Sequence, residues 1–121
     1  MLVPRRVPAF PHTSNTMIHY HLWFSLRPGI DEKEGLLAVQ TFLNELLQAG
    51  DIGGFHLFRN SGTPPKTQLL PFHALIEFRN DAQFGAAFAA QAKRGIQNGA
   101  HGRLLALVSE FHVEVFKEIA F

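Results

Sequence analysis

From Met17 to Leu26 the sequence alternates without interruption. Ile18, Tyr20, Leu22, Phe24 and Leu26 fall on one side, and Met17, His19, His21, Trp23 and Ser25 on the other. Period two over this length is the geometry of a β-strand, in which successive side chains point to opposite faces of a sheet. One face is strongly apolar and has to be covered. Pro28-Gly29 ends the strand.

The pattern then changes to helical spacing. Asp31 stands at an N-cap with Glu34 three residues on, a capping-box-like pair. Leu36, Val39, Leu43 and Leu46 form a stripe widened by Phe42 and Leu47, and Gly50 supplies a left-handed stop. A second strand is predicted over Phe55 to Asn60, between Gly53-Gly54 and Ser61-Gly62, with the weaker alternation of an edge strand. Thr63-Pro64-Pro65-Lys66 forms an exposed connection. After Pro71 a third strand runs from Phe72 to Arg79, setting Phe72, Ala74, Ile76 and Phe78 against His73, Leu75, Glu77 and Arg79. Asn80 or Asp81 caps a second helix that buries Phe84, Phe88, Ala92 and Ile96, with Gly95 and Gly99 at its end. Alanines at 86, 87, 89 and 90 favour the helix and a close approach to the sheet. Leu104 to Val108 reads as a short helical turn, and Glu110 to Ile119 as the last strand, with Phe111, Val113 and Val115 opposite His112, Glu114 and Phe116.

This order, β-α-β-β-α-β, predicts an α+β ferredoxin-like domain over residues 17–121. Its four-stranded antiparallel sheet has the order 4-1-3-2, with two helices on one face. Residues 1–16, punctuated by Pro4, Pro8 and Pro11, read as an extended arm, and Met17 offers an alternative start to the chain.

A length of 121 residues suits one domain, and 46% hydrophobic residues with twelve Phe are ample for a core. A net charge of +1 gives no electrostatic case for nucleic acid or a membrane surface. The absence of Cys excludes disulfides, thiolate catalysis and Cys-ligated zinc. No apolar run approaches the roughly 18–20 residues of a membrane span, and the arm lacks the apolar centre of a signal peptide. A cytoplasmic location is expected by elimination. No phosphate-binding glycine loop and no nucleophile elbow is present, so no cofactor is implied.

The segment Tyr20-His21-Leu22-Trp23 leading into Leu26-Arg27-Pro28-Gly29 is similar to the first strand and turn of the dimeric α+β barrel proteins. It resembles most the stress-responsive A/B barrel group and an uncharacterised ferredoxin-like family beside it. Phe72-His73-Ala74-Leu75-Ile76-Glu77 resembles the third strand of that family, and Leu107-Val108 to Phe116 its last. The resemblance covers residues 17–118. It implies a homodimer, a dimeric α+β barrel in which two sheets face each other. Some relatives bind or cyclise polyketide-like molecules with His and Tyr, some of them from the second helix. Here that helix offers Gln83, Phe84, Phe88 and Gln91 instead.

His19, His21, His56, His73 and His112 all fall on the strand faces away from the helices, together with Trp23, Phe58, Leu75 and Phe116. Large apolar groups on an open sheet call for a cover, and a second copy needs only one self-complementary patch. Three readings fit this face. In the first, His and Glu hydrogen-bond across a dimer interface and have no further role. In the second, the facing sheets enclose a cavity for a small, largely apolar ligand. There His21 and Glu77 are the candidate proton-transfer pair, and His19, Trp23, His56, Phe58, His73, His112, Glu114 and Phe116 line the site. In the third, His19 and His21, two apart on a strand, join a carboxylate as metal ligands. Tyr20, on the helix side, is a core residue whose hydroxyl needs a partner and could serve a pocket there. Arg59, Lys66 and Arg79 are solvated charges within reach of an anionic ligand head.

Overall fold

A computed structural model describes residues 16–63, 68–95 and 97–121. The expected arm apart from Thr16, Pro64 to Lys66 of the second connection, and Ile96 lie outside the described residues. The elements are β1 (Ile18–Leu26), α1 (Glu32–Gln48), β2 (Gly54–Arg59), β3 (Phe72–Phe78), α2 (Asp81–Arg94), α3 (Gly99–Leu107) and β4 (Val108–Lys117). The sheet order is β2-β3-β1-β4, all pairs antiparallel. This is the expected order read from the other edge, with β1 and β3 central.

The local signals act where the sequence put them. Asp31 accepts the Glu34 N–H at 3.0 Å at the start of α1. Gly50, at φ 80°, takes the left-handed turn that closes it. Asn80 accepts the Gln83 N–H at 2.9 Å at the start of α2, and Lys93 and Arg94 complement the helix dipole at its end. The core is the apolar sheet face closed by α1 and the turn after it: Ile18 and Phe24 from β1, Phe72, Ala74, Ile76 and Phe78 from β3, then Val39, Leu43 and Ile52.

Two expectations need correction. The helical turn before the last strand is a full third helix, starting at Gly99 rather than Leu104. Its first residues, Gly-Ala-His-Gly, carry too little apolar periodicity to announce it. Nor does α2 bury the residues expected of it. Phe84 is half-buried, Phe88 stays 48% exposed and Ala92 is exposed. The helix instead reaches the sheet through long side chains, Phe84 edge-on to Phe78 at 5.0 Å and Phe88 against Tyr20 at 5.7 Å between ring centroids.

Gln83 is the buried polar residue that fixes α2. Its Nε2 donates to the Gly50 carbonyl at 3.0 Å, and its Oε1 accepts the Arg79 N–H at 2.7 Å. One amide therefore ties the start of α2 to the end of α1 and the end of β3. Replacing Gln83 by Leu leaves a donor and an acceptor unpaired, at about 1–3 kcal/mol for each group that stays buried. Chemical denaturation of Gln83→Leu is expected to show a loss of at least about 2 kcal/mol with an unchanged slope, since the fold itself persists.

Candidate functional site

Side chains on the helix side of the sheet leave a gap. Ala74, fully buried at the centre of the sheet, and Ala87 of α2 are both short, and the space they do not fill is an apolar cavity of about 160 Å³. Leu22 and Ile76 from the sheet and Val39 and Leu43 from α1 contribute to its walls. Three polar side chains reach it: Tyr20 from β1, Gln91 from α2 and His101 from α3. An adjoining groove of about 350 Å³, towards Val108, Phe111 and Val113, shares the Tyr20, His101 and Leu104 wall. On the solvent side Gln91 and His101 also border a polar recess with Glu45, Asp51, Arg94 and Asn98, where Arg94 lies 3.6 Å from Asp51. The arrangement is an apolar chamber with a polar mouth. Burial raises the Tyr20 hydroxyl above its ordinary value, so it acts as a hydrogen-bond donor at neutral pH. His101 packs edge-on to Phe42, with ring centroids 5.4 Å apart.

The opposite sheet face gathers the residues that the sequence singled out. Antiparallel register sets His21 opposite Leu75 and Glu114, Trp23 opposite His73 and His112, and His19 opposite Glu77 and Phe116. His21 Nδ1 and His73 Nε2 share a hydrogen bond of 2.9 Å. His73 stacks on Trp23 with ring centroids 4.6 Å apart, Phe58 lies 5.3 Å from His73, and Phe116 meets His21 edge-on at 5.0 Å. Around this centre three carboxylates each have their own imidazole. His19 Nε2 bonds Glu118 at 2.8 Å, His112 Nε2 bonds Glu114 at 2.7 Å, and His56 lies 3.8 Å from Glu77. Burial, then the neighbouring charge of His19, holds His21 below the usual imidazole range, and burial, then His21, does the same for His73.

The candidate pair His21 and Glu77 is therefore not brought together: His21 meets His73, and Glu77 sits by His56. Nor do His19 and His21 converge on a carboxylate. Among the described residues no three His, Asp or Glu side chains gather to hold a metal ion. Of the candidate anion-binding cations, Arg59 pairs with Glu32 of α1, and Lys66 lies outside the described residues. Sequence reasoning missed Glu118, which the period of two running on from Phe116 would have placed on this face. It also missed His101, hidden in a helix that the pattern did not announce.

The chain matches the Family of unknown function (DUF6614) over residues 17–120. Among solved structures it is similar to a dabb family protein with a ferredoxin-like fold from Mesorhizobium loti, at 18% identity and TM-score 0.61, covering 87% of this chain and 99% of that one. A dimeric ferredoxin-like protein of unknown function from Jannaschia sp. gives 18% identity and TM-score 0.59, covering 85% and 99%. SnoaB, a cofactor-independent oxygenase from Streptomyces nogalater, gives 10% identity and TM-score 0.62, covering 89% and 97%. At these identities the likeness is one of fold. No curated protein matches. Among the described residues no helix is long and apolar enough to cross a membrane.

Tyr20 is the chain's single tyrosine, so its ionisation can be read without interference. Its raised pKa means that the folded state favours the neutral phenol. That stabilisation is complete below the unfolded value of about 10 and is lost as pH rises through the folded value. Absorbance titration at alkaline pH is expected to show a phenol midpoint above 10 in folded protein, returning to about 10 in denaturant.

Proposed function

We propose that this chain, which belongs to the Family of unknown function (DUF6614), binds a small, largely apolar organic molecule between its sheet and helices, as a homodimer assembled through the opposite sheet face. The observation that carries the first half is the chamber walled by Tyr20, Ala74, Ala87, Gln91 and His101. It is apolar over most of its lining and has a few converging polar groups, the usual constitution of a small-molecule site. A cavity of about 160 Å³ is the size of a single aromatic ring, since apolar cavities of about 150 Å³ hold benzene. The groove beyond Leu104 leaves room for a second ring or a short chain. Tyr20 donates to an oxygen on the ligand, and Gln91 and His101 meet its polar end. Any proton exchanged in this chamber passes through His101 or Tyr20, because His21 and Glu77 lie on the far side of the sheet.

The second half rests on the aromatic centre of the outer face. Phe58 and Phe116 are 48% and 54% exposed around the half-buried Trp23, an apolar patch that one protomer leaves uncovered. Structural neighbours described as dimeric share the fold, and a second copy meets this patch with the same patch.

Each half has its own test. Ala87→Phe puts a ring into the chamber. Thermal-shift screening against hydroxylated one- and two-ring aromatics is expected to raise the melting temperature of the wild type and leave Ala87→Phe unmoved. A wild type that no such compound stabilises would refute the ligand reading. Trp23→Arg sets an unpaired charge at the centre of the sheet face, and light scattering is expected to change from dimer mass to monomer mass. An unaltered dimer would place the interface elsewhere.

A further inference from the structure

The outer face has an arrangement that simple covering does not require. Three carboxylates on it are each taken by a peripheral imidazole, Glu118 by His19, Glu114 by His112 and Glu77 by His56, while Glu110 stands at the far end of β4 opposite Ser25. The two central imidazoles, His21 and His73, have only each other. Their shared hydrogen bond needs one nitrogen that donates and one that accepts, so at least one ring must be neutral. Their other ring neighbours are His19, Trp23, Phe58 and Phe116.

We infer that the His21–His73 pair makes assembly of the two sheets depend on pH, with the dimer formed when the pair is neutral and released when it is protonated. This rests on the dimer proposed above and adds its regulation. A second copy laid over Trp23 and Phe116 removes water from both imidazoles and brings aromatic surface in its place. The neutral pair tolerates that environment. Two imidazolium rings with centroids 5.1 Å apart do not, because each loses its hydration, repels the other and breaks the bond between them.

The titratable groups on the face of the pair are His19 on β1, Glu110, His112 and Glu114 on β4, Glu77 on β3, His56 on β2 and Glu118 just beyond β4. None of these carboxylates makes a hydrogen bond or ion pair with His21 or His73: Glu114, opposite His21, is held by His112 instead. Both rings already titrate below the usual imidazole range in the single protomer, as burial dictates. Covering them lowers the value further. The sign follows: affinity is at its full value above the pKa values of the separate protomer, which lie below the ordinary imidazole value of about 6.5, and falls as pH drops through them.

Sedimentation velocity over a concentration series at pH 7.5 and pH 5.5 tests this. For the wild type the dissociation constant is expected to rise at least tenfold at the lower pH, each proton taken up on separation contributing up to tenfold per pH unit. His21→Gln/His73→Gln, which keeps hydrogen-bonding groups and removes both titrations, is expected to change less than threefold, whereas His112→Gln keeps the wild-type dependence. A wild-type constant equal at the two pH values overturns the switch and leaves the dimer standing. A wild type that is monomeric at pH 7.5 overturns the dimer itself and the switch with it. A tenfold dependence surviving in the double variant assigns the effect to the peripheral pairs and overturns the inference. Should the double variant not assemble at pH 7.5, NMR titration of the wild type decides. The His21 and His73 ring resonances must titrate at lower pH in concentrated than in dilute protein, and a midpoint independent of concentration overturns the inference.

Discussion

The position of β1, hydrogen-bonded to β3 on one side and β4 on the other, is the constraint on which both faces of this molecule depend. A strand at the centre of a sheet cannot slide by one residue without exchanging its two faces, and here the exchange would drive His19 and His21 into the core. The pairings of Ile18 with Phe78, Leu22 with Ala74 and Phe24 with Phe72 make the helix side apolar from end to end. The same register places His21, Trp23 and His73 together on the other side without any further requirement. The core selects the register, and the outer cluster follows from it.

What the helices leave empty follows from side-chain size. A sheet residue as small as Ala74, fully buried and facing a helix that presents Ala87, leaves a shortfall that neighbouring rings do not make up. Well-filled interiors have few voids larger than a water molecule, because each unfilled contact forfeits dispersion energy. A chamber of about 160 Å³ in so small a core is therefore a cost to the fold, and Gln83 shows how that cost is tolerated. Its two amide hydrogen bonds hold α2 to the Gly50 turn and to Arg79, so the helix is anchored at its start and stands over the chamber instead of collapsing into it.

The sheet was legible because period two is a strong signal and each strand carried it. The face assignments of Tyr20, His21, Trp23, His73, Glu77, His112 and Phe116 all agree with the register. Pairing among the histidines was not legible. Alternation gives the face of a residue, whereas its partner depends on which residue lies opposite across the hydrogen bonds, and that offset is set by turns between strands. Hence Glu77 falls beside His56 and opposite His19, not beside His21. The helix-side chamber was harder still to foresee. Tyr20 was visible as a polar tip in an apolar stripe, but His101 lies on α3, whose glycine-rich start hides its helical period. An empty volume also has no residue of its own in the sequence.

Because side chains alternate along β1, Tyr20 faces the chamber while its immediate neighbours His19 and His21 face away, and the two proposed roles are separated by the thickness of one sheet. No side chain is shared between them: the chamber is lined by Leu22, Ala74 and Ile76, and the outer cluster by Trp23, His73 and Leu75. Groups without shared partners have nearly additive effects. A substitution on one face therefore reports on that face, provided the register holds. The register is held at its two ends by Ile18 and Phe72, both buried and lining neither site. This separation would let a fold of this size carry the proposed ligand chamber on one surface of its sheet and the proposed self-association on the other.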